Sequence, residues 1–129
     1  MPEPSRRRFA LLLGLLFAGA LLLRLFGLTW DQGHSFHPDE RRIVEAVREL
    51  SFSPLRLDPK FYAYGSLPFY VTRAACSLLG NVSPWFHGWQ GVLLTGRVLS
   101  ALWGAAGCVL LALLARRICG ERVALLAGA

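Results

Sequence analysis

Charge is scarce in this chain, and it is missing in blocks. Only 17% of the 129 residues are Asp, Glu, Lys or Arg, while 54% are hydrophobic, more apolar than a soluble domain of this size usually is. Residues 9–23 carry no charge, and beyond the single Arg24 the apolar run continues to Trp30. That makes about 22 residues, roughly 33 Å of helix, enough to cross a bilayer. Residues 91–115 form a second block interrupted only by Arg97, with 98–115 clean. Cysteine is sparse too. Cys76, Cys108 and Cys119 are odd in number and lack metal-ligand spacing, so neither a disulfide framework nor a zinc module is indicated. They read as small apolar side chains.

The charge that is present follows a pattern. Arg6, Arg7 and Arg8 precede the first block, and Arg116, Arg117 and Arg122 follow the second. Between them, residues 31–90 hold six basic and six acidic side chains. By the positive-inside rule both ends lie in the cytoplasm and the balanced loop lies outside. The net charge of +6 is therefore a topology signal. Basic residues split between membrane flanks and a neutral loop do not make a nucleic-acid surface. Three arginines before an apolar run also fit a signal peptide. The run is long, however, ends in Arg24 and Trp30, and lacks a small-x-small cleavage site near its end, so a retained span is the reading.

The expected fold is an all-α polytopic membrane protein fragment. Its parts are a basic cytoplasmic tail (1–8), a first transmembrane helix (9–30), an external loop with short interfacial helices (31–90), a second transmembrane helix (91–115), a cytoplasmic turn (116–122) and the start of a truncated third span (123–129). A short complete protein with an apolar tail is the alternative. Pro38 opens a helix, since proline suits a first helical position. Ile43, Val44, Val47 and Leu50 fall on one face of it, and such a helix beside a span often lies in the interface plane. Residues 51–58 read as irregular, with Pro54 and Pro59 as breakers. The aromatic runs 61–70 and 85–89 suit the headgroup level. Pro68 starts another helix, running to about Leu79, and Asn81-Val82-Ser83 is read as a turn, although it matches a glycosylation acceptor. Gly96, Ser100, Gly104 and Cys108 recur every four residues, a face that lets another helix approach closely.

Chemistry concentrates at His37-Pro38-Asp39-Glu40. Acidic residues in a first helical turn complement the helix dipole, which is the structural account of the pair. The functional account is a general base or metal-binding carboxylate at the membrane face. His34 and His37 stand nearby as ordinary polar residues or as supporting groups, with no metal-ligand spacing. Arg41 and Arg42 either pair along the helix or clamp a phosphate. Arg97, inside the second span, must snorkel, pair with Asp39, or hold a lipid phosphate. Arg24 has the same choices.

The ordered set Leu-Arg-Leu-Phe-Gly-Leu (23–28), Thr-Trp-Asp-Gln-Gly (29–33), Phe-His-Pro-Asp-Glu-Arg (36–41), Tyr-Gly-Ser-Leu-Pro-Phe-Tyr (64–70) and Gly-Arg-Val-Leu-Ser-Ala-Leu (96–102) resembles the N-terminus of GT-C type glycosyltransferases. The resemblance is to glycosyltransferase family 39, the protein O-mannosyltransferases and lipid A aminoarabinose transferases, and it covers nearly the whole chain. It implies a polyprenyl-phosphate sugar donor, an acceptor on the outer membrane face, and inverting transfer. It puts the acidic residue important for catalysis, acting as the base, at Asp39 and the second acidic position at Glu40, with Arg42 and Arg97 holding the donor phosphate. His37, Tyr64 and Pro68 would support them. The chain departs from the family at Ser66-Leu67-Pro68, where relatives often carry a Lys-Pro-Pro or His-Pro-Pro element. The cofactor stays open, a divalent metal among the options. The partners implied are the donor, membrane lipid and the remaining spans of a longer transferase, without which this piece would be inactive. The rival reading is a non-catalytic membrane protein, a transporter fragment or a small subunit docking through its small-residue face.

Overall fold

The computed structural model describes residues 3–129. The first two residues of the basic tail lie outside the described residues, as do the side chains of Arg6 and Arg122, two of the arginines behind the expected orientation. The chain divides into two compact units, Leu28–Leu99 and Met1–Gly27 with Ser100–Ala129. It is mostly helical.

In the second of these units, α1 (Glu3–Leu25) and α5 (Glu121–Gly128) accompany the 100–119 part of α4 (Trp89–Cys119). Leucine and alanine carry α1 as a continuous helix. Phe26 N–H donates to Leu22 O at 3.0 Å, and Gly27 then takes a left-handed φ of 71°. The helix thus ends five residues before the expected limit at Trp30, because the chain turns at a glycine that tolerates that conformation. Ala101, Ala105 and Ala112 are buried along α4, and Ala124 along α5. Their small side chains permit close approach. Gly128 sits against Leu16, Cys108 O and Ala112 so tightly that a Cβ would have no room. The expected start of a third span is thus a short helix that folds back on α1 and α4, after a turn at Gly120 with φ 85°. The Arg116 guanidinium lies 3.8 Å over the Phe9 ring, and Arg116 also pairs with Glu121 at 2.7 Å.

Two helices among the described residues are long and apolar enough to cross a membrane: α1 over Arg7–Leu25 and α4 over Trp89–Cys119. Only 6% and 17% of their apolar windows are buried, whereas the core helix of a soluble protein is mostly buried.

The unit Leu28–Leu99 has its own core. Val44, Ala46, Val47 and Leu50 of α2 (Pro38–Glu49, with Leu50 as its C-cap) meet Phe69 and Cys76 of α3 (Leu67–Gly80) and Val92 and Leu93 of α4. The expected apolar face of α2 is there, with Ile43 at its margin, but it is buried in protein and not laid on an interface. Phe61, Tyr70 and Trp89 also pack on this core, and Phe69 is inside it. Part of the aromatic run read as interfacial is therefore core, since α3 and α4 provide apolar partners closer than lipid would be. Residues 51–58 are not wholly irregular. β1 (Ser51–Phe52) and β2 (Leu55–Arg56) pair antiparallel, Ser51 opposite Arg56, about a cis Ser53–Pro54 bond, so the fold is not strictly all-α. Asn81-Val82-Ser83 is a turn, and Ser83 Oγ accepts from Trp85 N–H at the start of a 3-10 turn, Pro84–His87.

The small-residue stripe of α4 has occupants within the chain. Gly96 faces the Thr72 methyl of α3, and the Arg24 side chain of α1 covers Gly104. Leu50 is 1% exposed, so Leu50→Ala should leave a cavity and cost about 2–5 kcal/mol. Hydrogen exchange should show lost protection across α2 with the α1 amides unchanged.

Candidate functional site

The site is organised around Arg97, on the third turn of α4. Its Nε donates to Glu40 Oε1 at 2.6 Å and its Nη2 to Glu40 Oε2 at 2.8 Å. On the other edge Nη1 donates to Asp31 Oδ1 at 2.8 Å and Nη2 to Asp31 Oδ2 at 2.5 Å. Nη1 also donates to Leu28 O at 2.7 Å. One guanidinium therefore grips two carboxylates, each in a two-point fork, plus a carbonyl. Charge-assisted forks of this kind are strong and directional. The Arg97 side chain is 13% exposed, Glu40 26% and Asp31 fully covered.

Asp31 is held by its own loop as well. Its Oδ1 accepts from Gly33 N–H and its Oδ2 from Ser35 N–H, both at 3.0 Å. Such a wrap requires left-handed backbone, supplied at Gln32 (φ 50°), Gly33 (φ 81°) and Ser35 (φ 50°). Gly33 is the most constrained, because a Cβ there would collide with Gln90. Gln90 Nε2 donates to Gly33 O at 3.0 Å. Gln90 and Arg97 are seven residues apart, two turns along one face of α4, so the loop is tied to that face at two points. The Arg97 guanidinium holds the Asp31 carboxyl well below its ordinary value of 3.8, against the opposing effect of burial, and the Gly33 and Ser35 N–H groups assist.

Asp39 has a different environment from its neighbour. Successive helical residues point about 100° apart, so when Glu40 faces Arg97, Asp39 faces away. Its side chain is 48% exposed. Tyr64 Oη donates to Asp39 Oδ2 at 2.7 Å, and His37 Nδ1 lies 3.8 Å from the same oxygen. The bond to Asp39 raises the Tyr64 phenol above its ordinary 10.0, so Tyr64 remains a donor at neutral pH. Phe61 sets the Tyr64 ring by an edge contact at 5.7 Å and itself stacks on Phe69. Pro68 lies in the first turn of α3, where it fixes the direction of the chain leaving Tyr64.

Of the residues singled out by sequence, His37, Asp39 and Tyr64 come together. Glu40 and Arg97 form the separate forked pair. The expectation that Arg97 holds a donor phosphate or pairs with Asp39 is replaced by pairing with Asp31 and Glu40. All five of its N–H groups are committed, and none remains for a phosphate. Glu40 likewise has both oxygens engaged, which removes it as a free base. Arg42 pairs with Glu45 at 3.2 Å and is exposed, with no bond to Asp39. Asp31 was missed. The signal was available, since an arginine inside an expected span calls for an acid at matching depth, and Asp31 directly follows the expected first span, 9–30. Among the described residues no group of three His, Cys, Asp or Glu side chains is placed to hold a metal ion.

Replacing Arg97 by Leu should leave Asp31 and Glu40 without their cation. Exchange at the Gly33 and Ser35 amides should accelerate on the order of 100-fold. The acid response follows from Asp31. With its folded pKa depressed, the folded state binds fewer protons than the unfolded one below about pH 4, the ordinary carboxylate range. The stabilisation is complete above that range and is lost as pH falls through the lower folded value. Carboxyl NMR shifts of Asp31 should therefore stay those of the anion at pH 3.8, and revert to ordinary titration in Arg97→Leu.

No family model matches the sequence, no curated protein matches it, and no solved structure matches the fold.

Proposed function

We propose that the chain is the N-terminal part of a membrane glycosyltransferase of the GT-C type, with Asp39 as its base. In this reading α1 and α4 span the bilayer, and the loop 31–90 lies on the outer side of the inner (plasma) membrane. The outward leucines of the two apolar helices support the membrane setting. So do Trp30 and Phe36, 70% and 66% exposed and in ring contact at 5.9 Å, a pair suited to the headgroup level.

The observation that carries the proposal is the division of labour in the acidic pair. Glu40 is spent on Arg97, while Asp39 is half-exposed and oriented by Tyr64. Tyr64 occupies Oδ2, and among the described residues Oδ1 has no protein donor. Oδ1 is then the atom that accepts a proton from an acceptor hydroxyl. As the proton leaves, the hydroxyl oxygen bonds to the sugar's anomeric carbon from the face opposite the phosphate. The bond from that carbon to the phosphate oxygen breaks, and polyprenyl phosphate departs with the electron pair. The configuration inverts. Arg97 acts as a positioning residue, because its fork to Glu40 fixes the first turn of α2 and thereby Asp39. The phosphate must be met by other cations, Arg42, three residues beyond Asp39 on α2, being the candidate.

The test is transfer from a labelled polyprenyl-phosphate sugar in membranes carrying the whole enzyme. Asp39→Asn should abolish transfer with normal membrane insertion and unchanged amide protection in α2. Tyr64→Phe should lower turnover by roughly 10- to 100-fold, in the range of one lost orienting contact near a reacting group. Transfer by Asp39→Asn at the wild-type rate would remove Asp39 from the mechanism.

A further inference from the structure

Arg73 is the one charged residue of α3, and no carboxylate answers it. Its Nε is buried and finds no acceptor among the described residues. The six acidic side chains of residues 28–99 are all taken. Arg97 holds Asp31 and Glu40, Tyr64 holds Asp39, and Tyr62 holds Asp58. Arg42 holds Glu45, and Lys60 holds Glu49. Arg41, Arg48 and Arg56 are exposed, where water solvates them, but Arg73 is partly covered. Buried N–H groups are nearly always bonded, and an orphan points to a missing water, ion or ligand. The rest of α3 is unlike a water-facing helix. Phe69, Thr72 and Cys76 are buried toward the core. At 100° per residue, Leu67, Val71, Ala74 and Leu78 fall on the opposite side. Leu67 and Leu78 are each 71% exposed. A helix bordering water carries polar residues on that side, and α3 carries none there. Arg73 lies on the flank between the two faces.

We propose that this side of α3 binds a membrane phospholipid, its headgroup phosphate on Arg73 and an acyl chain along Leu67 and Leu78. The inference rests on the membrane setting proposed above, and is independent of the transfer reaction. Two observations select the occupant. With every acid of the unit taken, the oxyanion for Arg73 has to come from outside it. The Nε edge of a guanidinium presents a two-point fork that fits a phosphate. The exposed leucines call for an apolar cover in the same ligand. A soluble anion meets the first need only, and a neutral helix meets the second only. Phospholipid supplies both, at the highest concentration a membrane offers. No bond joins Arg73 to His37, Asp39 or Tyr64 among the described residues, and the site does not require the sugar donor.

The test holds the 129-residue chain, made with isotope-labelled arginine, in dodecyl maltoside micelles, which carry no phosphate. Dihexanoyl phosphatidylglycerol is added, with dihexanoylglycerol as the phosphate-free control. The readout is hydrogen exchange at Arg73 Nε, assigned by loss of its NMR signal in Arg73→Lys. Phosphatidylglycerol should slow that exchange at least about ten-fold, the scale of one charge-assisted bond. Dihexanoylglycerol should leave it unchanged. Phosphatidylglycerol should also raise the unfolding midpoint of the wild type but not that of Arg73→Met. Arg73→Lys, which keeps the charge and loses the fork, should show a smaller rise. Equal response to the two lipids, or an equal rise in Arg73→Met, overturns the proposal while leaving the membrane reading intact. Slow exchange already present in maltoside alone assigns Nε to a trapped water and overturns it. Farnesyl phosphate acting where phosphatidylglycerol does not moves the site to the sugar donor, and overturns it too. Protease protection in phosphatidylcholine vesicles tests the membrane reading separately, and failure of the chain to insert overturns both.

Discussion

The forked grip of Arg97 on Asp31 and Glu40 is the contact on which the rest of the unit Leu28–Leu99 depends. A guanidinium placed three turns into an apolar helix has to find anions, and its five N–H groups have a fixed planar geometry. Two carboxylates answering that geometry from opposite edges constrain three chain segments at once. The loop after α1 is drawn to α4 through Leu28 O and Asp31. The first turn of α2 is drawn to the same point through Glu40. Removing the arginine would leave one covered and one partly covered carboxylate facing each other, so the pair is held by mutual need and not by added attraction alone.

That constraint reaches the candidate chemistry indirectly. With Glu40 pinned, helical geometry sends Asp39 to another face, where Tyr64 meets it. Tyr64 is placed by Phe61, which stacks on Phe69 in the core. The apolar core formed by Val47, Leu50, Phe69 and Val92 is therefore connected to the exposed carboxylate through one aromatic chain of contacts. Asp39 is in this sense an exposed group on a rigid mount, which is what a positioned base requires. The acidic pair that looks like a unit in sequence is two unlike groups in the fold.

Much of the architecture was legible from local rules. The apolar blocks gave α1 and α4, Pro38 and Pro68 gave the starts of α2 and α3, and the spacing of Val44, Val47 and Leu50 gave the buried face of α2. Each follows from periodicity or from proline's fixed φ and missing N–H. The early end of α1 was missed because Gly27 adopts a left-handed conformation that an apolar run does not announce. The small hairpin at Ser51–Arg56 was missed because two-residue strands lack a periodic signature. The inward turn of Phe61 and Phe69 was missed because an aromatic ring suits a lipid interface and a protein core equally well.

By itself the sequence determined where charge is absent, and hence which helices are apolar enough for a membrane. It also determined that each apolar block carries one arginine that must be answered. These are properties of composition along a line, and burial of a charge is costly wherever it happens. Only the tertiary structure decided which acids answer Arg97, that Arg24 meets a thiol and one carbonyl instead of a carboxylate, and that Asp39 is left for Tyr64. Partner choice among Asp31, Asp39 and Glu40 depends on depth, on helical phase and on the left-handed turn at Gln32 and Gly33. Those are three-dimensional relations between segments up to 66 residues apart, and no local pattern encodes them.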